Sequence, residues 1–132
     1  MSDRIHRFVV RIYYEDTDFS GNVYHAAYLK FMERARTEFL RERNVHHFEL
    51  AKDGIAFAVS MLEISYLKPA HIDDMLEVVT EIKSAKGVRL ILKQEIFCNE
   101  EILTSAVVTV VAIGANGRPI RFPKELASRL VD

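Results

Sequence analysis

Only one stretch of this 132-residue chain carries a long helical signature, and nearly everything after it alternates. From about Tyr24 to Asn44, residues Tyr28, Phe31, Met32, Ala35 and Phe39 fall at i, i+3, i+4, i+7 and i+11, one apolar stripe along a helix. Lys30, Glu33, Arg34, Arg36, Glu38, Arg41 and Glu42 occupy much of the remaining surface. A helix with one apolar stripe has to lie on a broader apolar layer. The rest of the chain supplies that layer as strands. Phe8–Tyr14 is rich in β-branched and aromatic residues, and Phe57–Leu67 reads as a strand whose phase shifts near Met61. Leu76, Val78, Thr80 and Ile82 share one face of the next strand, with Glu77, Glu81 and Lys83 on the other. Val88, Leu90, Leu92, Ile96 and Cys98 repeat the pattern, interrupted by Gln94, which reads as a hydrogen-bonded polar group in the core or an interface. Ile102–Ile113 is apolar on both faces, and Asn99-Glu100-Glu101 before it reads as a hairpin connection. A short helix around His46–Gly54 and a terminal helix after Pro123, carrying Leu126 and Leu130, complete the elements.

The expected order is therefore a strand, a long helix and four strands in meander, a two-layer α+β domain spanning residues 1–132. One helix covers one sheet face only. The doubly apolar 102–113 strand then calls for cover from a second copy, so a homo-oligomer is expected.

Eighteen Lys and Arg against nineteen Asp and Glu leave a formal charge of −1, without the basic field that nucleic-acid binding requires. Cys98 is the single cysteine, so an intrachain disulfide and a Cys-rich zinc site are both excluded, and a buried inert thiol is expected. His6 and His71 stand alone, and the adjacent His46 and His47 diverge on any regular element, so no metal or other cofactor is expected. Residues 1–12 lack the apolar core of a signal peptide, and no run approaches the roughly 18 apolar residues of a membrane span. A soluble cytoplasmic protein without a transmembrane segment is the expectation.

The chemistry concentrates in Tyr13-Tyr-Glu-Asp-Thr-Asp-Phe-Ser-Gly-Asn-Val-Tyr-His25, which joins the first strand to the long helix. It sets two carboxylates, Asp16 and Asp18, and the imidazole of His25 beside a helix start. Unsatisfied N–H groups and a partial positive charge at that helix end suit an oxyanion. A carboxylate nearby can act as general base toward water or as a nucleophile, and the two together are the minimum for acyl transfer. The same residue types are also ordinary turn and cap formers. Composition leaves both readings open.

The pattern Y-Y-E-D-T-D-x-x-G-x-V-Y-H-x-x-Y-L running into F-M-E-R-A-R, from Tyr13 through Arg36, resembles the YbgC-like acyl-CoA thioesterases. These form the Tol-Pal-associated branch of the 4-hydroxybenzoyl-CoA thioesterase group. Pro69-Ala70 followed by Asp73-Asp74-Met75-Leu76 matches the same family in mid-chain. The resemblance implies the hot-dog fold, an antiparallel sheet wrapped around one long central helix, and hydrolysis of an acyl-CoA, with short acyl groups favoured. It implies Asp18 as the catalytic carboxylate, His25 as an aid to the water or the leaving thiolate, and Tyr14 as a supporting group. Backbone N–H groups near Tyr24 and His25 would polarise the thioester carbonyl. It also implies tetramers built from dimers, with the active site at a subunit interface. Lys86, Arg89, Arg118 and Arg121, at strand ends and in loops, are either solvated cations or contacts for coenzyme A phosphates. Glu33 is read as an ion-pair partner on the helix surface or an interface. Residues 45–56, where an acyl pocket would be shaped, match the family least.

Three rivals remain at this level. Asp16-Thr-Asp18-Phe-Ser20 also resembles the D-x-D opening of haloacid-dehalogenase-like phosphatases, with Asp73-Asp74 as their acidic pair, but that architecture needs alternating βα units. The second is a non-catalytic scaffold that binds an acyl carrier protein or a membrane-associated complex. The third keeps the fold and hydrates or dehydrates a β-hydroxyacyl thioester.

Overall fold

Five antiparallel strands form one sheet in the order β1-β3-β4-β5-β2. They are β1 (Ile5–Arg11), β2 (Ala56–Tyr66), β3 (Met75–Lys86), β4 (Arg89–Cys98) and β5 (Glu101–Ile113). The helices are α1 (His25–Glu42), α2 (His47–Lys52) and α3 (Lys124–Val131). This computed structural model describes residues 5–131; the reading of residues 1–4 as part of a charged N-terminus lies outside them.

Only β3, β4 and β5 form the expected meander. Asn99 and Glu100 both have positive φ, 51° and 70°, as a two-residue primed hairpin turn requires. The strand β2 departs from the meander. It crosses to the far edge and pairs with β5, from Ala56 opposite Ile113 to Tyr66 opposite Thr104. The reason is occupancy: β1 takes the outer edge of β3, with Val10 opposite Leu76, so the open edge of β5 is the one left for β2. The phase shift near Met61 is a break in register between Val59 and Met61, where Ser60 is the extra residue. The first strand also ends earlier than expected, at Arg11. Beyond it Asp16 bonds back to Tyr13, its N–H to the Tyr13 carbonyl at 3.0 Å and its carboxylate accepting the Tyr13 N–H at 2.9 Å. These local bonds turn Tyr14–Asp16 into a 3₁₀ turn despite the strand propensity of the two tyrosines.

The helix α1 lies on one face of the sheet. Its stripe of Tyr28, Phe31, Met32 and Ala35 packs on Leu76, Val78, Ile96 and Ala106, while Phe39 and Leu40 join a second cluster with Leu90, Val110, Leu126 and Leu130. The terminal helix α3 closes that second end. Between the clusters sits Gln94, fully buried: its amide donates to the Met32 carbonyl at 3.0 Å and to the Thr80 hydroxyl at 2.9 Å, and its oxygen accepts from Arg36 at 2.9 Å. On β5 the inward residues Ala106, Val108, Val110 and Ala112 are buried, whereas Val107 on the outer face is exposed. A fully antiparallel sheet with one long helix leaves no place for the parallel βα units of the phosphatase reading. No helix among the described residues is long and apolar enough to cross a membrane.

Candidate active site

Residues 13–25 leave the end of β1, pass over the 3₁₀ turn and enter α1. Asp16 holds this loop from inside: its carboxylate caps the turn, and its carbonyl accepts the Tyr24 N–H at 2.9 Å. Gly21 closes the tip with φ of +87°, a conformation that strains any residue with a Cβ, and its N–H donates to the Asp18 carbonyl at 3.0 Å. The Val23 N–H donates to the Ala70 carbonyl at 2.8 Å, docking the loop on the β2–β3 connection.

Asp18 is exposed on this scaffold. Its Oδ1 accepts from both the Ser20 N–H, at 2.8 Å, and the Ser20 hydroxyl. Those two bonds, hydroxyl first, hold its carboxyl below the ordinary Asp range, with the Asn22 backbone and the charge of His25 adding to the effect. Oδ2 takes part in no hydrogen bond within the described residues and stays free to meet a water.

The start of α1 provides the complementary charge. Its N-cap is Tyr24, extended at φ −65° and ψ 140°, and no side chain caps the helix. The Tyr24 N–H is already bonded to Asp16 and the Ala27 N–H to the Tyr24 carbonyl. The N–H groups of His25 and Ala26 have no protein acceptor among the described residues. Of the N–H groups expected near Tyr24 and His25, that of Tyr24 is taken by Asp16 and that of His25 has no protein acceptor among the described residues.

A cleft of about 230 Å³ gathers Asp18 and His25 with Tyr28, Tyr66 and Lys68. Tyr66, at the end of β2, donates its hydroxyl to the His25 carbonyl at 3.1 Å and sets its ring at 75° to the imidazole, 4.8 Å away between centroids. Lys68 forms an ion pair with Glu101. Tyr28 is buried, and its phenol oxygen accepts the Ala70 N–H at 3.0 Å.

Of the residues singled out in the sequence, Asp18 and His25 meet in this cleft. Tyr14 does not: its side chain is 82% exposed, and it contributes only its carbonyl, to Thr17. Tyr24 is exposed beside the cleft rather than in its wall. Lys86, Arg89, Arg118 and Arg121 gather at the opposite end of the sheet. There the Phe122 N–H bonds the Gly87 carbonyl and Ile113 bridges Pro119. The twelve residues of β3 put about 35 Å between the two ends. Asp74 accepts the His71 N–H at 2.9 Å and serves as a turn residue. His47 sits edge-on to Phe57 at 5.8 Å. Cys98 is half-buried, and burial pushes its thiol up, followed by the charges of Asp74 and Glu101. Tyr28, Tyr66 and Lys68 were not read as site residues from sequence. Tyr28 alone carried a usable signal, one helical turn after His25 within the H-x-x-Y of the motif.

Comparisons with known proteins identify the family. The family model of the thioesterase superfamily matches residues 20–105. The chain is 43% identical over 128 residues to the acyl-CoA thioesterase YbgC of Haemophilus influenzae, covering 96% of this chain and 94% of that protein. It is 42% identical over 130 residues to the acyl-CoA thioester hydrolase YbgC of Escherichia coli O157:H7, covering 97% of each. The crystal structure of a probable thioesterase from Bartonella henselae, 41% identical, superimposes with a TM-score of 0.87 over 90% of this chain and 99% of that one. The chain belongs to the thioesterase superfamily, in its YbgC group of acyl-CoA thioesterases with the hot-dog fold.

Proposed function

We propose that this protein hydrolyses the thioester of a short-chain acyl-CoA, with Asp18 as the general base toward water. The observation that carries the reading is one cleft that pairs the Asp18 carboxylate with His25 at the start of α1, where the His25 and Ala26 N–H groups have no protein acceptor among the described residues. The His25 and Ala26 N–H groups polarise the carbonyl, and charge developing on its oxygen meets the positive end of the helix. The His25 imidazole, packed edge-on against the Tyr66 ring in the same cleft, assists the departing thiolate in this reading. No step in this scheme calls for a metal or another cofactor. Coenzyme A thioesters are made and spent in the cytoplasm, which is the compartment this substrate supports.

A second copy of the chain completes the site in this reading. The outer edge of β2 pairs with no strand among the described residues, and it exposes Val59, Met61 and Tyr66. An exposed edge of eleven residues is a ready template for another strand. Antiparallel pairing of two β2 edges about a two-fold axis lays the Ala56 end of one copy beside the Tyr66 end of the other. The partner subunit's Lys86, Arg89 and Arg121 then approach the cleft that holds Asp18, where coenzyme A phosphates need cations.

The test is release of free thiol from acyl-CoA in the presence of a chelator, over acyl groups from acetyl through long-chain to aromatic. An acyl carrier protein bears its acyl group on the same phosphopantetheine arm and enters as a second donor. Turnover highest with short acyl groups and unaffected by chelator supports the reading. A panel with no thiol above background refutes it.

A further inference from the structure

We propose that Tyr28 is a further catalytic residue, whose phenol O–H donates to the thioester carbonyl oxygen alongside the N–H groups of His25 and Ala26. The proposal rests on the hydrolase reading and deepens it.

Tyr28 is only 2% exposed, yet it lines the cleft that holds Asp18 and His25. A buried phenol ordinarily satisfies both its donor and its acceptor capacity. Here only the acceptor is used: the oxygen takes the Ala70 N–H at 3.0 Å, and the O–H has no acceptor among the described residues. Packing alone would have been served by phenylalanine, as Phe31 serves one position further along the same stripe. The placement fits the task. Tyr28 sits three residues after His25, and a long side chain on a helix leans back toward the N-terminus, toward the two open N–H groups. The bond received from Ala70 draws electron density from the phenol oxygen and makes its O–H a stronger donor.

Burial also pushes the Tyr28 phenol above its ordinary range, so it stays protonated throughout the working pH. It is a donor and never the base. Water oxygen bonds to the carbonyl carbon while Asp18 takes the water proton, and the π pair of the carbonyl moves onto oxygen. Tyr28 and the two N–H groups hold that oxyanion, Tyr28 keeping its proton. The pair returns as the C–S bond breaks, and the thiolate leaves, taking the proton Asp18 collected.

The experiment compares Tyr28→Phe with the wild type in thiol release and thermal melting. Loss of a donor to the oxyanion predicts a fall in kcat of about 10²-fold, with KM within several-fold. A lower Tm accompanies it because the Ala70 N–H loses its acceptor, so a second variant removes that ambiguity. Fluorinated tyrosines at position 28 keep the oxygen and the Ala70 bond but make the phenol more acidic. The groups facing this phenol are Asp18, His25, Tyr66 and Lys68 around the cleft and Asp74 ahead of β3, all unchanged in that series. The alkaline limb of kcat should move to lower pH in step with the acidity of the phenol. Tyr28→Phe with kcat within about twofold of an active wild type, or an alkaline limb indifferent to fluorination, overturns the proposal and leaves the hydrolase reading standing. A wild type that releases no thiol removes both.

Discussion

Asp16 and Asp18 stand two residues apart, share a loop and differ in every contact. Asp16 is consumed by the turn it caps, whereas Asp18 keeps one carboxylate oxygen free while Ser20 restrains the other. That restraint has a pH consequence. Because the carboxyl lies below its ordinary value, its ionised form persists to lower pH, and its contribution to folding is present above the unfolded Asp range and lost as pH falls through its own lower pKa. Ser20→Ala removes the largest cause of the lowering. The acidic limb of kcat/KM should shift to higher pH, with the melting temperature nearly unchanged because both residues are exposed. His25→Ala should cost less in kcat than loss of the Asp18 carboxylate, since the N–H at position 25 survives; paired kcat measurements check the order. These residues were legible in the sequence because they are contiguous. Tyr66 was not, because it reaches the His25 carbonyl from 41 residues away through the placement of β2.

Periodicity carried α1 well, and its stripe is the stripe that packs. Alternation likewise identified the strands and a phase shift near Met61, which the structure traces to Ser60, but alternation says which face is buried and nothing about which strand lies alongside. The position of β2 beyond β5 was invisible for that reason. Gln94 shows the reverse case, a polar break in an apolar face that proved to be a fully bonded junction among α1, β3 and β4. Gln94→Leu, although more apolar, strands the Thr80 hydroxyl and an Arg36 donor in the core. It should destabilise the fold by about 1–3 kcal/mol, read as a lower denaturant midpoint at unchanged slope. A midpoint at or above that of the wild type would mean that the network contributes nothing.

One protomer holds the carboxylate and the helix start at one end of the sheet and its group of cations at the other. Were both sets to meet one substrate, the alternative to solvated cations that the sequence left open, a single copy could not bring them together. The proposed pairing of β2 edges can. Met61→Lys puts a charge on that edge, where the side chain is 61% exposed in one copy, so it should leave the protomer folded. It should shift the mass from light scattering toward the monomer and lower turnover in parallel. A wild type that scatters as a monomer at micromolar concentration, or a monomeric Met61→Lys with full turnover, would contradict the shared site.

The claim on which the rest depends is that Asp18, not Asp16, performs the chemistry, and kcat measured with melting temperature for the two Asn variants tests it directly. A positioned general base is worth about 10²–10⁴-fold, so Asp18→Asn should lose at least about 10² in kcat, with KM within several-fold and Tm nearly unchanged. Asp16→Asn should lose less kcat and more stability, because its carboxylate caps the turn. Near-wild-type turnover in Asp18→Asn, beside a folded but inactive Asp16→Asn, would reverse the assignment.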